Sequence, residues 1–228
     1  MRRAKTDLVD ADVIADYTAK EHPPTWTPVP RDVRELQALV RRLEALLGMQ
    51  TDERNRLQAG ALTPAVQHSI EAVLHHLEAQ IATVRRQIHE HLDQHPGLRA
   101  PRDLLTSIPG IGETTAALLL AELFTKSFKS ARQAAAFAGV VPRPHDSGLQ
   151  QGRRVMCKVG PGRLRKALYF PAIAALRFNP SLQPLARRLR GAGKPPMLII
   201  GAAMRKLIHL AFGVLKSGRV YDADLANA

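Results

Sequence analysis

The sequence predicts a mainly α-helical protein: a coiled-coil-like helical hairpin followed by a strongly basic helical domain. Three observations predict it. Apolar residues recur at spacings of three and four along two long stretches, which is the period of a helix with one covered face. A short break, Gly60 to Pro64, separates those stretches, so the helices must turn back on one another. Finally, charge divides the chain: residues 1–128 carry 15 basic and 17 acidic side chains, whereas residues 129–220 carry 18 basic ones and only Asp146. Scattered arginines of this kind, outside any low-complexity tail, read as a folded surface for a polyanion.

Residues 6–20 read as a short helix with Thr6 as N-cap and Leu8, Val9, Val13, Ile14 and Tyr17 on its apolar side. The proline-rich run from His22 to Pro30 cannot continue it and reads as a linker. The first long stripe is Leu36, Leu39, Val40, Leu43, Leu46 and Leu47, within a helix from Arg31 to about Gln58. The second runs from Val66 through Ile70, Leu77, Ile81, Val84 and Ile88 to Leu92. Their apolar faces need a partner, either each other or a second copy of the chain, and a homo-oligomer is the sharper expectation. Further helices are expected over Pro101 to Ser107, Glu113 to Thr125, Ala131 to Phe137, Arg163 to Phe178, Leu182 to Arg190 and Met197 to Lys216, with a kink or break at Pro171. Between Gly139 and Gly162 the periodicity vanishes, and that Gly-, Pro- and Arg-rich stretch is where a site is expected.

Composition narrows the function. The 228 residues have a formal charge of +13, which makes nucleic acid the first partner to consider. A single cysteine, Cys157, excludes an internal disulfide framework and a multi-thiolate zinc site, and points to the cytoplasm. No run reaches the ~20 apolar residues of a membrane span. The basic start is followed at once by Asp7, Asp10, Asp12 and Asp16, unlike a signal peptide. Aromatic residues make up 4% of the chain, too few for a platform that stacks single-stranded bases, so backbone and shape contacts are expected.

Four motifs carry chemistry. Ile108-Pro109-Gly110-Ile111-Gly112 joins two helices through a tight turn. Gly110 and Gly112 would bring backbone N–H groups close to a DNA phosphate, as in a helix-hairpin-helix element, or would serve packing alone. Asp7 and Asp10, three apart on one helix face, are either two ligands of a divalent metal or ordinary first-turn acids. In the irregular segment, Pro142-Arg143 leads to Ser147-Gly148, where the serine is a nucleophile or simply a turn residue, with Arg143, Arg153 and Arg154 near it in sequence to neutralise phosphate. A Ser-His-Asp relay through the adjacent His145 and Asp146 is excluded, because consecutive residues do not adopt its geometry. Lys158, Arg163, Arg165, Lys194, Arg205 and Lys206 extend the supply of phosphate contacts. The histidines around the second stripe match no zinc spacing and read as a solvated face.

Taken in order, Lys5-Thr6-Asp7-Leu8-Val9-Asp10-Ala11, the Ile108–Gly112 turn, Gly139-Val140-Val141-Pro142-Arg143 running to Ser147-Gly148, and Gly193-Lys194-Pro195 running to Met204-Arg205-Lys206-Leu207 resemble the transposases of insertion-sequence family 110 and the related Piv-type DNA invertases. The resemblance implies a RuvC-like nuclease domain whose last two of four acids are Asp7 and Asp10, holding Mg²⁺. It implies Ser147 as the nucleophile that cuts and rejoins DNA, with a structured guide RNA as a further partner. Residues 1–30 would be the end of the nuclease domain, 31–95 the hairpin linker and 97–228 the transposase domain. Only six residues precede Asp7, so the family's first two acids have no counterpart here, and a C-terminal portion that is inactive alone is expected. The compartment would be the cytoplasm, at the nucleoid. The alternative is a non-catalytic DNA-binding protein.

Overall fold

A computed structural model describes residues 7–23, 25, 28–60, 62–143 and 155–224. They fall into two units, Met1–Pro30 and Arg31–Ala228. The first holds helix α1 (Asp7–Glu21), none of whose residues is buried; Leu8, Val13, Ile14 and Tyr17, expected as an apolar side, are exposed. The expected Thr6 cap lies outside the described residues.

The second unit begins with the hairpin, α2 (Arg31–Gln58) and α3 (Pro64–Gln94). Thr63 caps α3, its hydroxyl accepting from the Val66 amide at 3.5 Å, and Pro64 follows at the first helical position, where its missing N–H costs nothing. The helices run antiparallel: His91 Nε2 lies 2.7 Å from the Asp32 carbonyl near one end, and Arg54 pairs with Glu78 at 3.2 Å toward the other. Leu36, Val40, Leu43 and Leu46 are buried with Leu77, Ile81, Val84, Ile88 and Leu92. The two stripes thus answer each other within one chain, and the apolar faces that suggest a second copy are largely covered.

The hairpin shares its core with the helices after it. Helix α4 (Pro96–Thr106) leads through a tight turn to α5 (Glu113–Leu118), and the chain continues as a π turn, Leu119–Leu123, in place of the regular helix expected to Thr125. The Phe124 amide reaches back five residues to the Leu119 carbonyl at 2.9 Å. The wider turn buries Leu119, Leu120, Ala121 and Leu123, while Glu122 faces Arg41 and Arg163.

Helices α6 (Ala131–Phe137), α7 (Gly162–Phe178), α8 (Gln183–Gly191) and α9 (Pro196–Ser217) complete the unit. The irregular stretch contains one antiparallel pair of short strands, β1 (Pro142–Arg143) and β2 (Val155–Met156). Helix α7 is not broken at Pro171: Leu164 and Leu168 before it and Ala172 and Ala175 after it are all buried. Each buried leucine is worth about 1.5–3 kcal/mol, enough together to outweigh the ~3 kcal/mol penalty of an interior proline. Helix α9 is long and apolar enough to cross a membrane, but here it packs against α4, α6, α7 and α8 and buries nine residues, among them Met204, Leu207 and Ile208. It is the centre of the C-terminal core, and Gly218 ends it in a left-handed conformation (φ 66°).

Candidate nucleic-acid interface

The paired strands are held by α6 and α7. Past α6, the Val140 amide bonds the Ala135 carbonyl at 3.1 Å, and the Cys157 amide bonds the Val141 carbonyl at 2.8 Å, extending the pairing of Pro142 with Met156 and Arg143 with Val155. The exit passes so close to the end of α6 that a side chain at Gly160 (φ 118°) would overlap the Phe137 carbonyl oxygen. Arg165 locks this crossing: its Nη1 donates to the Gly160 carbonyl at 3.0 Å and the Ala138 carbonyl at 3.3 Å. Met156 reaches Gly201 of α9, where an added Cβ would come within 2.7 Å of its Cε. Both ends of the chain between the strands are therefore anchored. Ser147, Arg153 and Arg154 lie in that intervening stretch, outside the described residues.

Five of the seven remaining basic candidates divide into two groups. Arg143 on β1, Lys158 just past β2 and Lys194 before α9 are exposed. Arg165 is turned inward by its carbonyl bonds, and Arg163 pairs with Glu122 at 3.0 Å. That carboxylate, whose side chain is only 10% exposed, also accepts from Arg41 at 2.8 Å. The sequence suggests Arg163 and Arg165 as phosphate contacts; in the fold Nη1 of each is engaged by the chain itself. Arg205 and Lys206 on α9 are half-buried beside His209, whose Nε2 is buried without a hydrogen-bond partner among the described residues. Burial, followed by the charges of Arg205, Lys206 and Arg132, holds the His209 imidazole below its ordinary pKa, so it is neutral at pH 7.

For the Ile108–Gly112 turn the sequence leaves phosphate contact and packing open, and the fold shows packing at Gly110. Gly110 (φ 105°) packs against α7: an added Cβ would lie 2.7 Å from the Ala175 Cβ and 2.9 Å from the Pro171 carbonyl oxygen. Its glycine serves helix contact. A buried polar cluster fixes the turn, with Asn179 Nδ2 donating to the Pro109 carbonyl at 3.1 Å while its Oδ1 accepts from the Ser181 amide and the Tyr221 hydroxyl. Nothing in the local spacing signals this cluster, because Pro109, the Asn179–Ser181 pair and Tyr221 are tens of residues apart. Gly112 remains exposed at the start of α5, but Glu113 beside it already places a carboxylate there, 2.5 Å from His89 Nδ1 and 3.5 Å from Arg102.

The two acids of the first motif, Asp7 and Asp10, are both exposed on α1. Among the described residues no group of three or more His, Cys, Asp or Glu side chains converges. Two solvated carboxylates do not make a complete magnesium site, which needs a near-octahedral oxygen set.

Two family models match this chain. A family model of DEDD transposases of the IS110 type, described as Transposase, matches residues 1–64, and one described as Transposase IS116/IS110/IS902 family matches residues 102–187. The pilin gene-inverting protein of Moraxella bovis is 34% identical over 223 residues, which is 96% of this chain and 69% of that protein. The chain belongs to the IS110 family of transposases. Two further relatives are less identical to this chain. The 43.6 kDa protein of insertion element IS110 from Streptomyces coelicolor is 29% identical, covering 72% of this chain and 39% of its own length. The transposase for insertion sequence element IS1328 of Yersinia enterocolitica is 27% identical, covering 72% and 57%.

For this transposase chain the two groups of basic residues make opposite predictions. Arg143→Ala and Lys194→Ala should each reduce the slope of log affinity against log salt by about 0.9 on duplex DNA, without moving Tm. Arg163→Ala and Arg165→Ala should instead cost about 1–2 kcal/mol, a Tm loss of about 2–8 °C, and leave the slope unchanged. Salt titrations and thermal melts of the four variants check this directly.

Proposed function

We propose that this chain is the DNA-holding, nucleophile-carrying part of an insertion-sequence transposase or site-specific recombinase, acting by strand cleavage and rejoining. The observation that carries it is the segregation of charge onto residues 129–220 of a chain belonging to this family, with Arg143 and Lys158 exposed at the two ends of the strand pair. The Pro-Arg-x-x-x-Ser-Gly pattern starts on β1 and runs into the stretch joining the strands, where Ser147 would be the nucleophile. Its Oγ would lose a proton and bond to phosphorus as one sugar oxygen leaves as a hydroxyl; the reverse attack by a sugar hydroxyl rejoins the strand. Exposed cations would stabilise charge on the phosphoryl oxygens in between.

Asp7 and Asp10 would be two of the Mg²⁺ ligands in a site completed by further acids. The rival reading is a binding protein that holds DNA without cutting it. A structured guide RNA, self-association and residence at the nucleoid belong to the proposal for the intact enzyme.

DNA affinity measured against salt tests the proposal. The full chain should bind duplex DNA with weak sequence preference, and six to ten phosphate contacts would cost about 10³–10⁵ in affinity between 50 and 200 mM salt. A flat response, or no binding at low ionic strength, would remove the proposal's basis.

A further inference from the structure

Aromatic residues are few, but the fold does not spread them evenly. Phe124, Phe128, Phe137 and Phe212 pack against the core, whereas Phe170 and Phe178, both on α7, are 75% and 63% exposed. The buried face of α7 is Leu164, Leu168, Ala172 and Ala175. Opposite it, at positions i, i+4, i+7 and i+11, stand Lys166, Phe170, Ile173 and Arg177, all exposed. The apolar surface is continuous beyond the helix: the Phe170 ring meets Tyr169 edge-on at 5.3 Å, and the Tyr169 hydroxyl lies 3.9 Å from the sulfur of Met197, itself 63% exposed at the start of α9. A phenylalanine this exposed, joined to further apolar surface and bracketed by cations, marks a contact surface.

Charge decides between occupants. Helices α7, α8 and α9 contain no acidic residue, so a second copy laid on this face would oppose Lys166 and Arg177 to their own counterparts with nothing to offset them. A polyanion that also presents flat π faces matches both features. We propose that this stripe of α7 receives unpaired bases of an opened DNA strand, with Phe170 stacking on a base while Lys166 and Arg177 hold the flanking phosphates. The proposal rests on the DNA-binding reading above and adds a preference for opened strands to it. Low overall aromatic content argues against base stacking; one exposed ring set between two cations, with Tyr169 against its edge, reverses that expectation locally.

Anisotropy with the full chain, a labelled single strand and its duplex tests the proposal. Phe170→Ala should weaken single-strand binding about 5- to 150-fold and leave duplex binding almost unchanged. Because Phe170 lies on the solvent side, circular dichroism and Tm should not move. Phe170→Trp, made together with Trp26→Phe to remove the sequence's other tryptophan, should keep the affinity and lose indole fluorescence on adding single strand but not duplex. An equal loss on both substrates, no loss on either, a larger loss for an RNA of the same sequence, or a Phe170-dependent dimer in sedimentation would each overturn it. Failure of the unaltered chain to bind duplex at low salt would strike the DNA reading itself; intact duplex binding with Phe170-indifferent single-strand binding overturns only this inference.

Discussion

Ser147→Ala is expected to reduce covalent protein–DNA adduct to background while leaving salt-dependent DNA binding as it was. The assay needs cleavage, so the chain is fused behind a RuvC-like segment of a family relative that supplies further acids, with Mg²⁺ and the guide RNA proposed for the intact enzyme. In the unaltered fusion, denaturing gels should show DNA attached at Ser147. The alanine lacks the oxygen that bonds to phosphorus, so no other part of the site can compensate. Asp7→Asn and Asp10→Asn should also suppress cleavage in this fusion, by removing a charged ligand from the completed site, again with binding intact. An adduct that survives Ser147→Ala would show that another residue is the nucleophile.

The second large effect is on stability. Gly160→Ala and Gly110→Ala should each destabilise the fold by about 2–5 kcal/mol, from a positive φ that disfavours any Cβ together with overlap that neighbouring backbone cannot relieve. The corresponding fall in Tm is about 4–20 °C for a unit of this size. At Gly160 the obstacle is the Phe137 carbonyl and at Gly110 the backbone of α7, so neither clash ends on a side chain that can swing away. Gly48→Ala is the opposite-sign control: it sits inside α2 with nothing within 4 Å of an added Cβ, and should stabilise by about 0.5–1 kcal/mol. If Gly110→Ala and Gly160→Ala melt at the unaltered temperature, the packing of the turn and of the strand exit is misassigned.

The two sets of experiments divide along what is readable without a fold. The long stripes of α2 and α3, the break at Gly60 to Pro64, the charge boundary near residue 129 and the ordered motifs of the IS110 family are all legible in the chain. Each is a property of a residue and its neighbours within a turn or two, and a period of 3.6 has a direct reading in terms of one covered face. The irregular stretch from Gly139 to Gly162 is legible as a place for a site, but its strand pair is not, since four residues carry no alternation to detect.

What only the tertiary structure decided was which side each polar or aromatic group faces. Arg163 and Arg165 are indistinguishable from Lys194 by composition, yet Glu122 and the carbonyls of Ala138 and Gly160 draw the first two inward while Lys194 stays in solvent. Gly110 reads from its spacing as a phosphate-contact glycine, but Ala175, on another helix, occupies the space beside it. Phe170 is one apolar residue among many on paper, and becomes a contact surface only because α9 covers the opposite face of α7. Helical periodicity and net charge are set locally, by the chain's own pitch and composition. Desolvation is set by whichever group arrives from tens of residues away, and that group decides whether a cation is a structural tie or a free contact for DNA.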